Sequence, residues 1–277
     1  MTDFRIFDVH HHMGTLPTSA SQAAAAAPED DYAPRTAAMD KYGFEAGLAM
    51  PSLSYPRPRG FADTQAINDD IAGYRDRHSA RFPVALGTVQ PTDPTEMSVN
   101  ELARMATDLK LDGVVWHHRY QGCHLSDRRM HPLLDACAKH NMVAFFHVIS
   151  DSNMEAPFLL EELYEAHPDV TFVALDSMTS FTQIRFIMQM AKRCPKLLFD
   201  TALNFPVASS IEEFVRRFGS ERLLFGTDMY PAHMYVYPHV LREVLDAPSL
   251  SDDDRRNIFW NNAARLFPRG FAKLGNG

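Results

Sequence analysis

Short apolar segments with strand character recur along the whole chain, and amphipathic segments of helical character separate them. The eight apolar segments are 4–10, 44–51, 82–89, 111–118, 142–148, 170–176, 196–201 and 222–228. Helical patterns occupy the intervening segments 97–110, 129–141, 156–168 and 210–220. Strands that alternate with helices in this way indicate βαβ units and a parallel sheet. The order therefore predicts an α/β protein with a TIM-type (β/α)8 barrel.

The segment after the first strand favours this closed barrel over an open, doubly wound sheet. The open fold usually carries a glycine-rich phosphate loop there, whereas this chain has HHHMGTLP. The length of 277 residues is compatible with one barrel of about 250 residues but does not by itself decide between one large domain and two small ones. No linker divides the chain. We therefore predict one domain over 1–277, with a long loop between the first strand and its helix at about 15–36.

Charge and cysteine content narrow the expected partners and location. The formal net charge is −8, which disfavours nucleic acid and anionic membranes and leaves a small molecule as the expected partner. Three widely separated cysteines are typical of a reducing compartment. Neither a signal peptide nor an apolar run long enough to span a membrane is recognisable. We therefore expect a cytoplasmic protein.

The first predicted strand ends in three consecutive histidines. Side chains alternate between the two faces of a strand, so His10 and His12 share one face and His11 takes the other. Ile6 and Asp8 have the same parity as His10, which predicts that this face looks into the barrel. His10 and His12 are therefore expected together at the mouth of the barrel, where the active sites of such folds lie.

Four other predicted strands also end in a histidine or an aspartate. These residues are His117, His147, Asp176 and Asp228, on strands four, five, six and eight. The carboxyl ends of parallel strands meet at one rim, so these side chains should converge with the first-strand histidines. Three imidazoles and a carboxylate make a suitable site for Zn²⁺ or a similar divalent ion. Such an ion lowers the pKa of a bound water, whose proton a nearby carboxylate can accept.

These motifs, taken together, resemble the amidohydrolase superfamily. They are HxH after the first strand, FFHV at the fifth, LLFGTD at the eighth and a closing IFWNNAARLF. More narrowly, they resemble the amidohydrolase-related branch that includes aminocarboxymuconate semialdehyde decarboxylase and several lactonases. The resemblance implies that His10, His12, His147 and Asp228 bind a metal ion, and that Asp228 is the proton shuttle in hydrolysis.

The resemblance also bears on the number of ions and on quaternary structure. Binuclear members carry a bridging lysine or glutamate at the fourth strand, where this chain has Trp116 and His117. We therefore expect one divalent ion, zinc in the first place, although nitrogen and oxygen ligands also suit manganese. The family further implies a homodimer.

The sixth strand departs from the family pattern. Members usually place a histidine there, whereas this chain has Asp176, a carboxylate that only accepts hydrogen bonds when ionised. Asp176 is therefore expected to join the metal or to bind a substrate amine, and it joins His117 and Asp228 as a candidate catalytic residue. The residues Arg119, Tyr230 and His233 are the candidates for binding substrate.

Four functions are open at this stage, and a hydrolase is preferred. It would open a C–N or C–O bond of a small cyclic amide, lactone or ester with metal-activated water. The first alternative is a non-oxidative decarboxylase of an aromatic or muconate-like acid, with Arg119 or Arg185 at the substrate carboxylate. The others are a lactonase that works without metal and a barrel that only binds a small molecule.

Overall fold

The computed structural model describes residues 3–13, 32–53, 57–202, 208–230 and 237–275, and its strands form one parallel sheet. The strands are β1 (Phe7–Met13), β2 (Ala46–Pro51), β3 (Val84–Gly87), β4 (Gly113–Trp116), β5 (Val143–His147), β6 (Phe172–Leu175), β7 (Leu198–Asp200) and β8 (Leu223–Leu224). Each strand pairs with the next one along the chain. The predicted (β/α)8 barrel is therefore confirmed. Seven predicted strand segments contain their strand, and the segment 4–10 overlaps β1, which extends to Met13.

Helices follow the strands and surround the sheet. They are α1 (Tyr32–Tyr42), α2 (Phe61–Arg77), α3 (Thr95–Thr107), α4 (His118–Gln121), α5 (Met130–His140), α6 (Leu159–Ala166), α7 (Phe181–Arg193), α8 (Ala208–Phe218), α9 (Tyr237–Leu245), α10 (Asp252–Arg256), α11 (Asn262–Leu266) and α12 (Pro268–Phe271). A π-helical turn, Asn257–Asn261, joins α10 to α11. The four helical segments predicted from the sequence correspond to α3, α5, α6 and α8.

The barrel closes where the chain that follows β8 runs beside β1. The backbone N–H of Met229 donates to the carbonyl of His10 at 2.9 Å, and the N–H of His12 donates to the carbonyl of Met229 at 3.0 Å. Arg35 of α1 is fully buried at this seam, and its guanidinium donates to the carbonyl oxygen of His12 at 2.6 Å. The seam therefore joins the two ends of the sheet at the level of the histidine-rich segment.

Two apolar layers explain why both faces of the strands are hydrophobic. The inner layer fills the barrel and includes Val9, Leu48, Leu86, Val115 and Phe145. The outer layer lies between strands and helices and includes Ile6, Val114, Phe146, Ala174 and Phe225. Aromatic rings of the C-terminal helices fill the amino end of the barrel, with Phe271 at 4.6 Å from Phe7 between ring centroids. The polar strand ends at the opposite, carboxyl end are left to form a site.

The boundary predicted between the first loop and its helix differs from the structure. The loop predicted at about 15–36 is too long, because α1 already begins at Tyr32; residues 14–31 lie outside the described part of the chain. Among the described residues, no helix is both long and apolar enough to cross a bilayer.

A pair of glycine substitutions tests the tight pairing of β4 with β5. A Cβ at Gly113 would lie 2.3 Å from the backbone carbonyl oxygen of Val143, which cannot move without breaking the sheet. We expect Gly113→Ala to lower the free energy of unfolding by about 1–3 kcal/mol, the usual cost of overpacking. At Gly73 in α2, a Cβ would meet only the flexible end of Arg77. Gly73→Ala should therefore raise stability by up to about 1 kcal/mol through helix propensity. Urea unfolding of both variants measures the effect; equal effects would contradict the strand packing.

Candidate metal centre

A local irregularity in β1 turns His10 towards the mouth of the barrel. The register of β1 against β2 shifts between Asp8 and His11, so alternation is broken there. Val9 lies in the inner apolar layer, and His10 next to it also faces inward, where it meets two other imidazoles. Ile6 packs in the outer layer. The expected pair of inward histidines is therefore present, but the parity argument for it is wrong.

Asp8 holds this irregularity and links it to the end of β8. Its Oδ1 accepts hydrogen bonds from the backbone N–H of His10 at 2.9 Å and of Thr227 at 3.1 Å. Its Oδ2 lies 2.6 Å from the Nε2 of His11 and also accepts from the hydroxyl of Thr227. Asp8 thus faces away from the mouth, and it fixes the position of His10 relative to Asp228, the residue after Thr227.

Three imidazole nitrogens converge at the mouth. The Nε2 atoms of His10 and His12 lie 3.1 Å apart, and each lies 3.3 Å from the Nε2 of His147. All three side chains are buried. Zinc–nitrogen bonds of 2.0–2.1 Å in tetrahedral geometry place ligand nitrogens about 3.3 Å apart. The observed triangle therefore has the dimensions of a metal site.

The opposite ring nitrogen of each histidine is hydrogen-bonded to an acceptor. The acceptors are Asp200 Oδ2 for His10 at 2.7 Å, the Pro51 carbonyl for His12 at 2.8 Å and the Trp116 carbonyl for His147 at 2.9 Å. A carbonyl can only accept, so Nδ1 of His12 and His147 carries the proton and Nε2 presents a lone pair. Acceptors of this kind orient the histidine ligands of metal sites. The donor set thus fits a divalent cation.

Two aspartates extend the cluster on one side. Asp228 Oδ1 lies 3.3 Å from Nε2 of His10 and 3.2 Å from Nε2 of His12. Asp176 offers an oxygen within 4.8 Å of both His10 and Asp228. Both aspartates have positive φ, 59° for Asp176 and 55° for Asp228, a left-handed conformation in which Asp is enriched. Asp176 is 2% exposed, and its Oδ1 has no hydrogen-bond partner among the described residues.

The charges of the site call for a cation. Burial disfavours the charged imidazole of His10, but Asp228 and Asp200 outweigh it and raise the pKa of His10 to about 10. Burial, together with the charge of Asp228, raises the pKa of Asp176 well above its usual range. Burial also opposes ionisation of Asp228, yet His10 and His12 lower its pKa. A proton on His10 and a divalent ion are alternative ways to neutralise these carboxylates.

Three other predicted site residues lie beside this centre or at the same rim of the barrel. His117, at the end of β4, stacks on His147 with ring centroids 4.2 Å apart. Tyr230 is buried and stacks on His12 at 4.5 Å, so its ring packs against a histidine of the centre. Arg119 on α4 has a half-exposed side chain at the same rim.

Of the remaining two candidates, one lies outside the described residues and the other lies away from the centre. His233 lies outside the described residues. Arg185 is on α7, in a groove against α8 on the outside of the barrel. Its proposed contact with a substrate carboxylate is therefore wrong, and Arg119 is the arginine that stands at the rim.

Two buried carboxylates beside the centre were not anticipated. Asp200 ends β7 in phase with Leu198, so the rule applied to the other strands would have found it. Glu155 lies in the segment between β5 and α6, is fully buried, and has Oε2 at 2.9 Å from Nδ1 of His117. No periodicity marks a loop residue of this kind, and the sequence offers no signal for Glu155.

Fold and centre together define the class of protein as a (β/α)8-barrel enzyme with a possible three-histidine metal site at the carboxyl ends of its strands. The amidohydrolase family model matches residues 7–269, so the chain belongs to the amidohydrolase family. The resemblance inferred from the motifs is therefore confirmed. Among curated protein sequences, none matches this chain significantly.

Solved structures of the same fold include enzymes of several activities. A 5-carboxyvanillate decarboxylase from Novosphingobium aromaticivorans, complexed with manganese and 4-hydroxy-3-methoxy-5-nitrobenzoic acid, superposes with a TM-score of 0.72 at 16% identity, over 96% of either chain. A 2,6-dihydroxybenzoate decarboxylase gives 0.71 at 17% identity, over 97% of this chain and 99% of the other. A 4-oxalomesaconate hydratase from Rhodopseudomonas palustris gives 0.72 at 14%, over 97% of both chains. At these identities the similarity shows the fold alone.

Proposed function

We propose that the protein is a metal-dependent hydrolase that opens a C–N or C–O bond of a small cyclic amide, lactone or ester. The observation that carries this proposal is the convergence of three imidazole Nε2 atoms, 3.1–3.3 Å from one another, with Asp228 Oδ1 at 3.2–3.3 Å from the nitrogens of His10 and His12. Three imidazole nitrogens can hold a divalent ion and leave a further coordination position for water, as in catalytic rather than structural sites.

Each residue of the centre has a distinct task in this reaction. His10, His12 and His147 would hold the ion, which supplies Lewis acidity to the substrate carbonyl and to water. Asp228, whose carboxylate is favoured by His10 and His12, accepts the proton of the attacking water and returns it to the leaving nitrogen or oxygen. Asp176 lies on the same side of the mouth, and its free oxygen can accept a hydrogen bond from the substrate.

The balance of charge favours hydrolysis of a neutral or amine-bearing substrate. Asp176, Asp200, Asp228 and Glu155 are all close to the mouth, and the Arg119 guanidinium lies beside Glu155 at the same rim. Arg119 is already engaged with the Glu155 carboxylate at 3.5 Å. A substrate carboxylate would have to overcome the repulsion of these groups, whereas a neutral amide or lactone would not.

Decarboxylation of an aromatic or muconate-like acid is the second candidate. Two observations favour it: several proteins with this fold are decarboxylases, and Arg119 is half exposed at the rim, where it could turn towards a carboxylate. Because one decarboxylase structure of this fold contains manganese, manganese is a candidate ion as well as zinc. We continue to expect one ion per chain, a small-molecule substrate, and a cytoplasmic homodimer.

The test is a substrate panel for the metal-loaded protein, with and without a chelator. The panel contains a lactone, a cyclic amide, an ester and a hydroxylated aromatic acid, and acid release and carbon dioxide are both measured. We expect acid release from a lactone or amide that the chelator abolishes. Carbon dioxide from the aromatic acid without any hydrolysis would replace the proposal with the decarboxylase. Hydrolysis that resists the chelator would identify a metal-independent lactonase.

A further inference from the structure

A buried hydrogen bond between Glu155 and His117 defines a second functional unit beside the metal centre. Glu155 is fully buried, and its Oε2 lies 2.9 Å from Nδ1 of His117. The same oxygen accepts the backbone N–H of Arg119 at 3.2 Å, and Oε1 lies 3.5 Å from the Arg119 guanidinium. The two hydrogen bonds to Oε2 hold Glu155 in place, and Oε1 faces the Arg119 guanidinium without a hydrogen bond.

The geometry decides which nitrogen of His117 carries the proton. A carboxylate bonded to Nδ1 stabilises the Nδ1–H form, so Nε2 of a neutral ring is left with its lone pair. A divalent ion held by the adjacent His147 would disfavour a second positive charge on His117, which favours the neutral ring. Among the described residues, Nε2 forms no hydrogen bond. The ring lies flat against His147 at 4.2 Å and 10°, which leaves Nε2 at the edge of the metal centre.

We propose that Glu155 is a positioning residue that holds His117 with Nε2 as a hydrogen-bond acceptor for a donor group of the substrate. This inference rests on the proposed function and narrows its substrate. Beside Nε2 of His117, the mouth holds Asp176, whose buried Oδ1 has no hydrogen-bond partner among the described residues. A substrate with N–H or O–H groups can donate to both atoms, and leaving a buried acceptor such as Asp176 Oδ1 without a partner costs about 1–3 kcal/mol. An amide supplies such N–H groups, whereas a simple lactone or ester does not.

The experiment reads the tautomer of His117 directly. Protein with ¹⁵N-labelled histidine is loaded with zinc, its zinc content is measured, and ¹⁵N–¹H spectra are recorded that separate the Nδ1–H and Nε2–H forms. The His117 signals are assigned by their loss in His117→Gln. We expect the Nδ1–H form in the unmodified protein and its loss in Glu155→Ala. Glu155→Gln keeps an oxygen that can accept the N–H, so this variant should restore the Nδ1–H form.

Asp151→Ala is the matched control, because Asp151 is an exposed carboxylate in the same segment between β5 and α6. It should leave the His117 signals unchanged. If His117 of the unmodified protein carries its proton on Nε2, the inference is wrong. This test does not depend on whether Glu155→Ala folds. An unchanged tautomer in folded Glu155→Ala would also overturn the inference. Zinc content in the same samples tests the proposed function separately, because the tautomer is defined whether or not zinc binds.

A second readout separates positioning from a merely structural role. With a substrate of the panel that is hydrolysed, Glu155→Ala should lower kcat by about 10–100-fold, the usual cost of losing a residue that orients a group of the site through a hydrogen bond. Glu155→Gln should recover much of this loss at equal zinc content. A loss that follows only the zinc content, with no difference between the two variants, would mean that Glu155 merely supports the fold.

Discussion

Replacing His10 and His12 together with alanine is expected to remove the bound metal ion from a protein that remains folded. The two imidazoles supply two of the three nitrogens that meet within 3.1–3.3 Å. Loss of a residue that only orients a ligand already weakens metal binding by about 10–100-fold, so the loss of two ligands should exceed this range. We expect one zinc or manganese ion per chain in the unmodified protein and almost none in the double variant, as measured by plasma mass spectrometry without a histidine tag.

His124→Ala is the control for this experiment, because His124 is exposed and the hydrogen bond of its ring is to Ser126, away from the metal centre. Its metal content should equal that of the unmodified protein. Two ions per chain would mean that Asp176 or His117 is also a ligand. A folded, monodisperse protein without metal would contradict the proposed mechanism and move the metal-independent lactonase to first place.

The barrel could be predicted because its signal is repeated. Each strand is apolar on both faces, as the inner and outer layers require, and helices separate the strands along the chain. An error at one boundary, such as the start of α1 at Tyr32, does not alter a pattern that recurs eight times. The amino end is filled by Phe267 and Phe271, whose partners in the strands could not be read from the sequence.

The sequence predicts which residues form the centre, but not the backbone conformations that direct His10 and Asp176 towards it. Strand parity places His147 and His117 correctly, since both strands are regular up to their ends. It fails for His10, because the irregularity held by Asp8 depends on a contact with Thr227 more than two hundred residues away. It also places Asp176 in phase with Phe172, which packs in the outer layer; the left-handed backbone at Asp176 instead brings its carboxylate to the mouth.

The two carboxylates that were not predicted, Asp200 and Glu155, differ in how much the sequence reveals of them. Asp200 follows the same rule as the other strand ends, so its omission was avoidable. Glu155 lies in a loop, and its role depends on where the chain after β5 folds relative to His117. Long-range hydrogen bonds of this kind leave no periodic trace in a single sequence.

Replacing Asp228 with asparagine should nearly abolish turnover while the protein keeps its fold and part of its metal. Asparagine has the same size as aspartate and, like it, tolerates the left-handed backbone, so the φ of 55° at this position adds no strain. The three imidazoles still converge, and the amide oxygen can still face them. The variant nevertheless lacks the carboxylate that accepts the proton of water.

The expected result is therefore a loss of about 10²–10⁴-fold in kcat, the usual contribution of a general base, with a much smaller change in KM. Steady-state kinetics and metal content are measured on the same preparation, with Asp151→Asn as the control at an exposed site. A fall in activity that merely follows metal loss would limit Asp228 to the role of ligand. Near-normal kcat would remove Asp228 from proton transfer and assign that step to another group, of which Asp176 and His117 are the nearest candidates at the mouth.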